Sequence, residues 1–270
     1  MEGFITACYS NSPSRRRSEQ GQEGRCSIEE ERYIRQVSLP QVGEEGQRRL
    51  NAASVLIAGC GALGSNSAEI LARAGIGRIL LIDSDVVELT NLQRQGLMDA
   101  ADVGRPKADV VAEALRQINP EIRIAAEVVR IAAGNIERLI TDIDLVLDGF
   151  DNLESRYLLN DACVKSAIPW IFATVAGTFG MTMPILPGEG PCLRCLFPEP
   201  APEEAVLTAG TSGLINTIPR AIVALQATQA MKIILRSFAP PVRLTTYDIW
   251  QESFSAQKIP RNPGCLCCGT

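Results

Sequence analysis

The chain has 270 residues, 46% hydrophobic and 21% charged, enough for one large α/β core or two small ones. Its formal net charge of −5 argues against non-specific nucleic-acid binding, and no stretch reads as a membrane segment. There is no histidine, which excludes Ser-His-Asp, Cys-His and imidazole acid–base chemistry and leaves reactions that need little proton transfer, such as attack of an ionised carboxylate on phosphorus.

Residues 1–27 are rich in Ser, Gln, Gly and Arg without an apolar period and read as a disordered tail, with Arg15, Arg16 and Arg17 as a solvated charge run. The N-terminus lacks the apolar centre of a signal peptide, so a cytoplasmic setting is expected. Residues 28–270 read as one domain. A helix is predicted from near Ile28, where Glu29, Glu30 and Glu31 suit the positive end of a helix dipole, and a second over Glu44–Ala52. The apolar run Val55–Ala58 then meets Gly59, Gly61 and Gly64 in G-x-G-x-x-G spacing. A helix-like stretch follows, and a second apolar run, Ile79–Ile82, ends in Asp83. Strand, glycine turn, helix, strand, acid is the order that sets a phosphate on free N–H groups at a helix N-terminus and a carboxylate against ribose hydroxyls. By itself this motif is weak and most often suggests NAD. The segment Asn91-Leu92-Gln93-Arg94-Gln95 changes that reading, because it puts a guanidinium where a phosphate tail would lie.

Alternation continues with a helix at Lys107–Ile118, a strand at Ile122–Val129, a short helix at Ile136–Ile140 and a buried strand at Asp144–Leu147. A helix at Leu153–Ala167 stops before Pro169, and a strand follows at Trp170–Val175. The expected fold is therefore α/β, a Rossmann-like, mostly parallel sheet covered by helices. Thr178–Leu186 and Val242–Trp250 read as strands of an appended antiparallel portion. Leu214–Leu235 is apolar but interrupted by Arg220, Gln226, Gln229 and Lys232, so it reads as a buried or interface helix. Arg94, Lys107 at a helix start, and Asp148 and Asp151 after a strand could all surround a nucleotide. Each alone is better explained by a surface salt bridge. Their placement after successive strands favours a triphosphate site, with a carboxylate for Mg²⁺ and cations for the phosphates.

Of nine cysteines, Cys192 and Cys195 form one C-x-x-C pair and Cys265 and Cys268 another, each beside Gly and Pro. This spacing points to a closed, structural Cys₄ zinc site, weighed against two disulfides or a redox dithiol. Cys267 is a competing ligand or a free thiol; Cys60 and Cys163 read as packing residues.

In order along the chain, Arg32-Tyr33-Ile34-Arg35-Gln36, GCGALGS, Asp83-Ser84-Asp85, NLQRQ, GRPKA, LDGFDN and both cysteine pairs resemble the ubiquitin-activating superfamily. The likeness is to its ThiF/MoeB/HesA type, the sulfur-carrier-protein adenylyltransferases. The resemblance covers about Arg32 to the C-terminus. It implies an ATP-binding adenylation domain using ATP, Mg²⁺ and structural Zn²⁺. The C-terminal Gly-Gly carboxylate of a small ubiquitin-like carrier would attack the α-phosphorus, giving acyl-adenylate and pyrophosphate. By position, Gly59, Gly61, Ala62 and Gly64 approach the phosphates, while Asp83 and its neighbour Asp85 face the ribose. Asn91, Arg94, Gln95 and Lys107 contact the triphosphate, and Asp151, with Asn152 beside it, positions magnesium. Arg35 would reach across from the partner subunit of a homodimer.

There is one departure from the family pattern. In the loop FPEPAPEEAVLTAGT, where several relatives carry a carrier-capturing cysteine, the matching position is Ala209. The activity is therefore expected to stop at the adenylate. With no rhodanese-like extension after Thr270, a separate protein is expected to donate sulfur. The rivals are an NAD-dependent oxidoreductase, an enzyme activating a carboxylate on tRNA or a peptide, and a non-catalytic module that binds ubiquitin-like proteins.

Overall fold

A computed structural model describes residues 28–198 and 213–269. The predicted tail and the loop segment holding Ala209 lie outside the described residues. The chain divides into Met1–Arg32 and Tyr33–Thr270, and the fold below is that of the second unit.

Helix α1 (Ile28–Val37) and α2 (Gly43–Ala52) precede β1 (Ser54–Ala58). The alternating part then runs α3 (Gly64–Ala74), β2 (Arg78–Ile82), α4 (Lys107–Ile118), β3 (Arg123–Glu127), α5 (Ile136–Leu139), β4 (Leu145–Asp148), α6 (Leu153–Lys165) and β5 (Trp170–Ala176). The rest comprises β6 (Phe179–Ile185), the short α7 (Leu193–Leu196), the long α8 (Thr217–Ile234), β7 (Arg243–Asp248) and β8 (Ser253–Lys258). All strands belong to one eight-stranded sheet of order β3-β2-β1-β4-β5-β6-β7-β8. The first five pair in parallel and the last three antiparallel. This is the α/β architecture the sequence predicts, including its antiparallel end.

The apolar runs are continuous because the parallel strands are covered on both faces. Along β1, Val55 and Ile57 enter a core shared with Leu71 of α3, Leu115 of α4 and Ala230 of α8. Leu56 and Ala58 enter the opposite core with Leu139 of α5, Leu159 of α6 and Trp170. Alternation at period two thus feeds both layers from one strand, each fully buried Leu or Ile adding about 1.5–3 kcal/mol. α8 occupies the stretch read as a buried or interface helix, and its Gln226 is fully buried. Among the described residues no helix is long and apolar enough to cross a membrane.

Two elements have no counterpart in the predicted set, the short α7 and β8. β8 exposes all but one of its residues, so its sequence carries no one-sided apolar alternation; its order comes from the ladder with β7.

Candidate active site

β1 lies between β2 and β4, where the strand order reverses, and ligands in open α/β sheets bind beyond the C-terminal strand ends at such a point. A cleft of about 720 Å³ opens there. Its floor is the glycine turn between β1 and α3. Gly59 has φ +98°, and a Cβ there would lie 2.7 Å from the Gly149 carbonyl. A Cβ on Gly64 would run into the carbonyl of Gly59, so the third glycine provides close approach of α3 to the strand end; it does not line the cleft. Gly61 differs from both: a Cβ there would meet protein atoms only at ordinary contact distance, the nearest at 3.8 Å. The protein has no steric need of glycine at 61, which faces the cleft, so the missing side chain leaves room for something bound. Beside it, Gln95 is 3% exposed, and its Oε1 has no hydrogen-bond partner among the described residues.

Asp83, at the end of β2, accepts from the backbone N–H of Cys60 (2.6 Å) and of Asp85 (2.7 Å). Burial pushes its carboxyl above the usual range, against the two N–H bonds and the nearby Lys107 charge that pull it down. Lys107 opens α4, held in place by its backbone N–H to Asp85 O (2.9 Å) and by the neighbouring bond from Val87 N–H to Arg105 O (2.9 Å). It is 8% exposed, and its Nζ lies 3.0 Å from Asp85 Oδ2. Arg94 donates to Thr90 O at 2.8 Å. Asn91 closes a capping box with Glu88, its Oδ1 accepting from the Glu88 N–H at 3.2 Å.

The turn after β4 carries the last group. Strand position alone offered both Asp148 and Asp151, the family resemblance singled out Asp151, and the structure sets the two apart. Asp148 is fully buried against Arg156 (2.8 Å), with burial raising its carboxyl above the usual range in spite of that charge. Asp151 is exposed on the cleft wall, with one long bond, 3.3 Å, from Asn152 Nδ2. Asn152 caps α6 by accepting from the Ser155 N–H at 2.9 Å. Gly59, Gly61, Ala62, Asp83, Asp85, Asn91, Arg94, Gln95, Lys107, Asp151 and Asn152 thus share one cleft. Arg35 is exposed on α1 and does not line it. The sequence reading missed Arg156, also on the wall, whose only signal was an arginine one helical turn after the Asn152 cap.

The second site lies at the antiparallel end. The sulfurs of Cys192, Cys195, Cys265 and Cys268 lie within 4.8 Å of one another, and the four thiols can hold a metal ion. A tetrahedral zinc with Zn–S of about 2.3 Å needs sulfur pairs about 3.8 Å apart. Here Cys192–Cys265 is 3.5 Å and Cys195–Cys268 3.4 Å, far outside bonding distance, and all four are free thiols. Burial opposes ionisation of Cys265, but the backbone N–H groups of Cys268 and Cys267, together with the thiols of Cys192 and Cys268, outweigh it and bring the thiol down to about 7. Burial, with the neighbouring Asp161, pushes Cys267 up to about 12; its sulfur lies 3.2 Å from Asn160 Nδ2.

The ThiF family model matches residues 33–267. The chain belongs to the ThiF family. Among its ThiF relatives it is 41% identical over 245 residues to a sulfur carrier protein adenylyltransferase of Thermus thermophilus, covering 88% of this chain and 90% of that protein. It is 37% identical over 240 residues to the SAMP-activating enzyme E1 of Haloferax volcanii, covering 88% of each. Among solved structures, E. coli MccB with ATP matches with a TM-score of 0.74 at 26% identity, covering 83% of this chain and 69% of that one. The expected family is therefore shown, and several of its relatives, the Thermus protein among them, are named adenylyltransferases.

Proposed function

We propose that residues 28–270 form an ATP-dependent adenylyltransferase that activates the C-terminal Gly-Gly carboxylate of a small ubiquitin-like sulfur-carrier protein. The observation that carries this reading is the convergence of Lys107, Arg94, Asp83 and Asp151 on one cleft at the strand-order reversal, in a chain whose relatives bear that activity in their names. The oxidoreductase rival leaves Arg94 and Lys107 without a task there.

Asp83 orients the ribose, and Gly61 and the N-terminus of α3 receive the phosphates on backbone N–H groups. The open face beside Gly61 and the exposed Asp151 carboxylate suit ATP with Mg²⁺, which would supply charge neutralisation between the phosphates. A carboxylate oxygen of the carrier attacks the α-phosphorus; the bond to the bridging oxygen of the β-phosphate breaks, and pyrophosphate leaves with that electron pair. No proton moves, which agrees with a chain lacking histidine. Arg94 and Lys107 oppose the charge that develops on the leaving group. Arg35 joins them from the partner subunit of a homodimer. Lacking a cysteine at position 209, the enzyme stops at the adenylate and leaves sulfur transfer to a separate donor protein. Zn²⁺ fits the four thiols, with no open position and hence a structural role.

Carrier-dependent ATP–pyrophosphate exchange tests the assignment. Lys107→Ala and Arg94→Ala should each lower it by about 10²–10³. Exchange near wild type in either variant would overturn the role given to that residue.

A further inference from the structure

Arg156 and Asp148 form a buried ion pair, 4% and 0% exposed, directly beneath the cleft. A buried pair of this kind is weak evidence for stability, since apolar residues of similar size commonly do as well. Its bonding pattern indicates a different task. Asp148 accepts from the N–H of Phe150 (2.9 Å) and of Ala173 (3.2 Å). Arg156 donates to the carbonyl of Ala173 (2.9 Å) and, from the same nitrogen, to the carbonyl of Phe150. Two residues, one in the turn after β4 and one in β5, thus have both backbone polar groups held by the same ion pair. Buried Gln226 reinforces the strand ends by donating to the carbonyls of Asp148 (3.0 Å) and Ile171 (3.1 Å).

The immobilised Phe150 immediately precedes Asp151, and the residue that follows, Asn152, is fixed as the cap of α6. Gly149 packs against the carbonyl of Gly59. The backbone on both sides of Asp151 is therefore held, while its carboxylate stays open to the cleft.

We propose that Arg156 is a positioning residue: with Asp148 it fixes the turn after β4 on β5, so that Asp151 is presented to a divalent cation at a set height above the glycine turn. This rests on the reading of the cleft as an ATP–Mg²⁺ site. Supporting residues of this kind typically alter metal affinity by 10–100-fold when changed. A planar guanidinium reaches the Asp148 carboxylate and two carbonyls at once, which a single ammonium cannot reproduce.

The test uses the full chain and Mn²⁺ as the metal probe, with binding followed by electron paramagnetic resonance at saturating ATP. Arg156→Lys should raise the Mn²⁺ midpoint about tenfold or more while affinity for ATP in EDTA stays within about twofold of wild type. An unmoved midpoint would remove the proposal, as would an equal loss of metal-free ATP affinity, which would make Arg156 a nucleotide contact. A wild-type protein that bound no ATP would remove the parent reading and this proposal with it. A second measurement needs no variant: in the metal-free wild-type protein the amides of Phe150 and Ala173 should exchange with solvent as slowly as those of Val146 and Leu147. Fast exchange at Phe150 would show that the turn is not held, and the proposal would fail whatever the variant does.

Discussion

In the parallel half of the sheet, β1 and β4 bury nearly every residue between two helical layers. At the other end, β8 presents all but one residue to solvent, and Trp250 and Phe254 stand 70% and 60% exposed. The first region holds the cleft's loops by apolar packing, backbone bonds and a few buried polar side chains, Asp83, Asp148, Arg156 and Gln226 among them. The second exposes more of its surface, and a Zn²⁺ on the four thiols, as proposed above, would add a tie there, joining the segment after β6 to the segment after β8 across 73 residues. The cleft is thus carried by the hydrophobic half, and the cysteine end is where a metal cross-link would act.

Metal removal should break that comparison most visibly. Structural zinc contributes apparent free energies of about 10–16 kcal/mol in zinc-finger peptides. Stripping the ion from the four thiols should therefore release β7 and β8 to fast amide exchange while β1, β2 and β4 keep their protection. Equal loss in both halves would show that the division is not real.

A smaller effect sharpens the cleft side. Burial holds the Asp83 carboxyl above the ordinary range in the free protein. Ribose hydroxyls donating to it would lower that value on binding, so ATP affinity is full above the free-protein pKa and falls as pH drops through it. At its steepest the loss is about tenfold per pH unit, the slope for one proton. Binding titrations from neutral to mildly acid pH should show this loss at higher pH than an ordinary carboxylate would give. Asp83→Asn should bind more weakly at neutral pH and lose this component of the profile; an unchanged profile would take the ribose away from Asp83.

Most of the fold was legible because parallel strands buried on both faces leave uninterrupted apolar runs, and the intervening helices keep a 3.6-residue stripe. Lys107–Ile118 shows this with the predicted and observed helix coinciding. β8 was not legible, since a strand wetted on both faces has no signature beyond its partner. In the site, the glycine spacing, Asp83, Arg94 and Lys107 could be read because each follows a strand or starts a helix. The inward duty of Asp148 could not, and Asp151 was singled out only by the family resemblance. Which of two carboxylates turns inward depends on Arg156, and its contacts with Ala173 bridge 17 positions of sequence. The two roles of glycine, packing at Gly64 and open space at Gly61, likewise needed coordinates.

The reaction product gives the most direct test of adenylylation. Wild-type protein incubated with ATP, Mg²⁺ and a carrier ending in Gly-Gly should convert that carrier to its C-terminal adenylate, seen by intact mass, with no covalent carrier–enzyme species. A carrier that keeps its mass while ATP stays intact, across the Gly-Gly carriers offered, would contradict it.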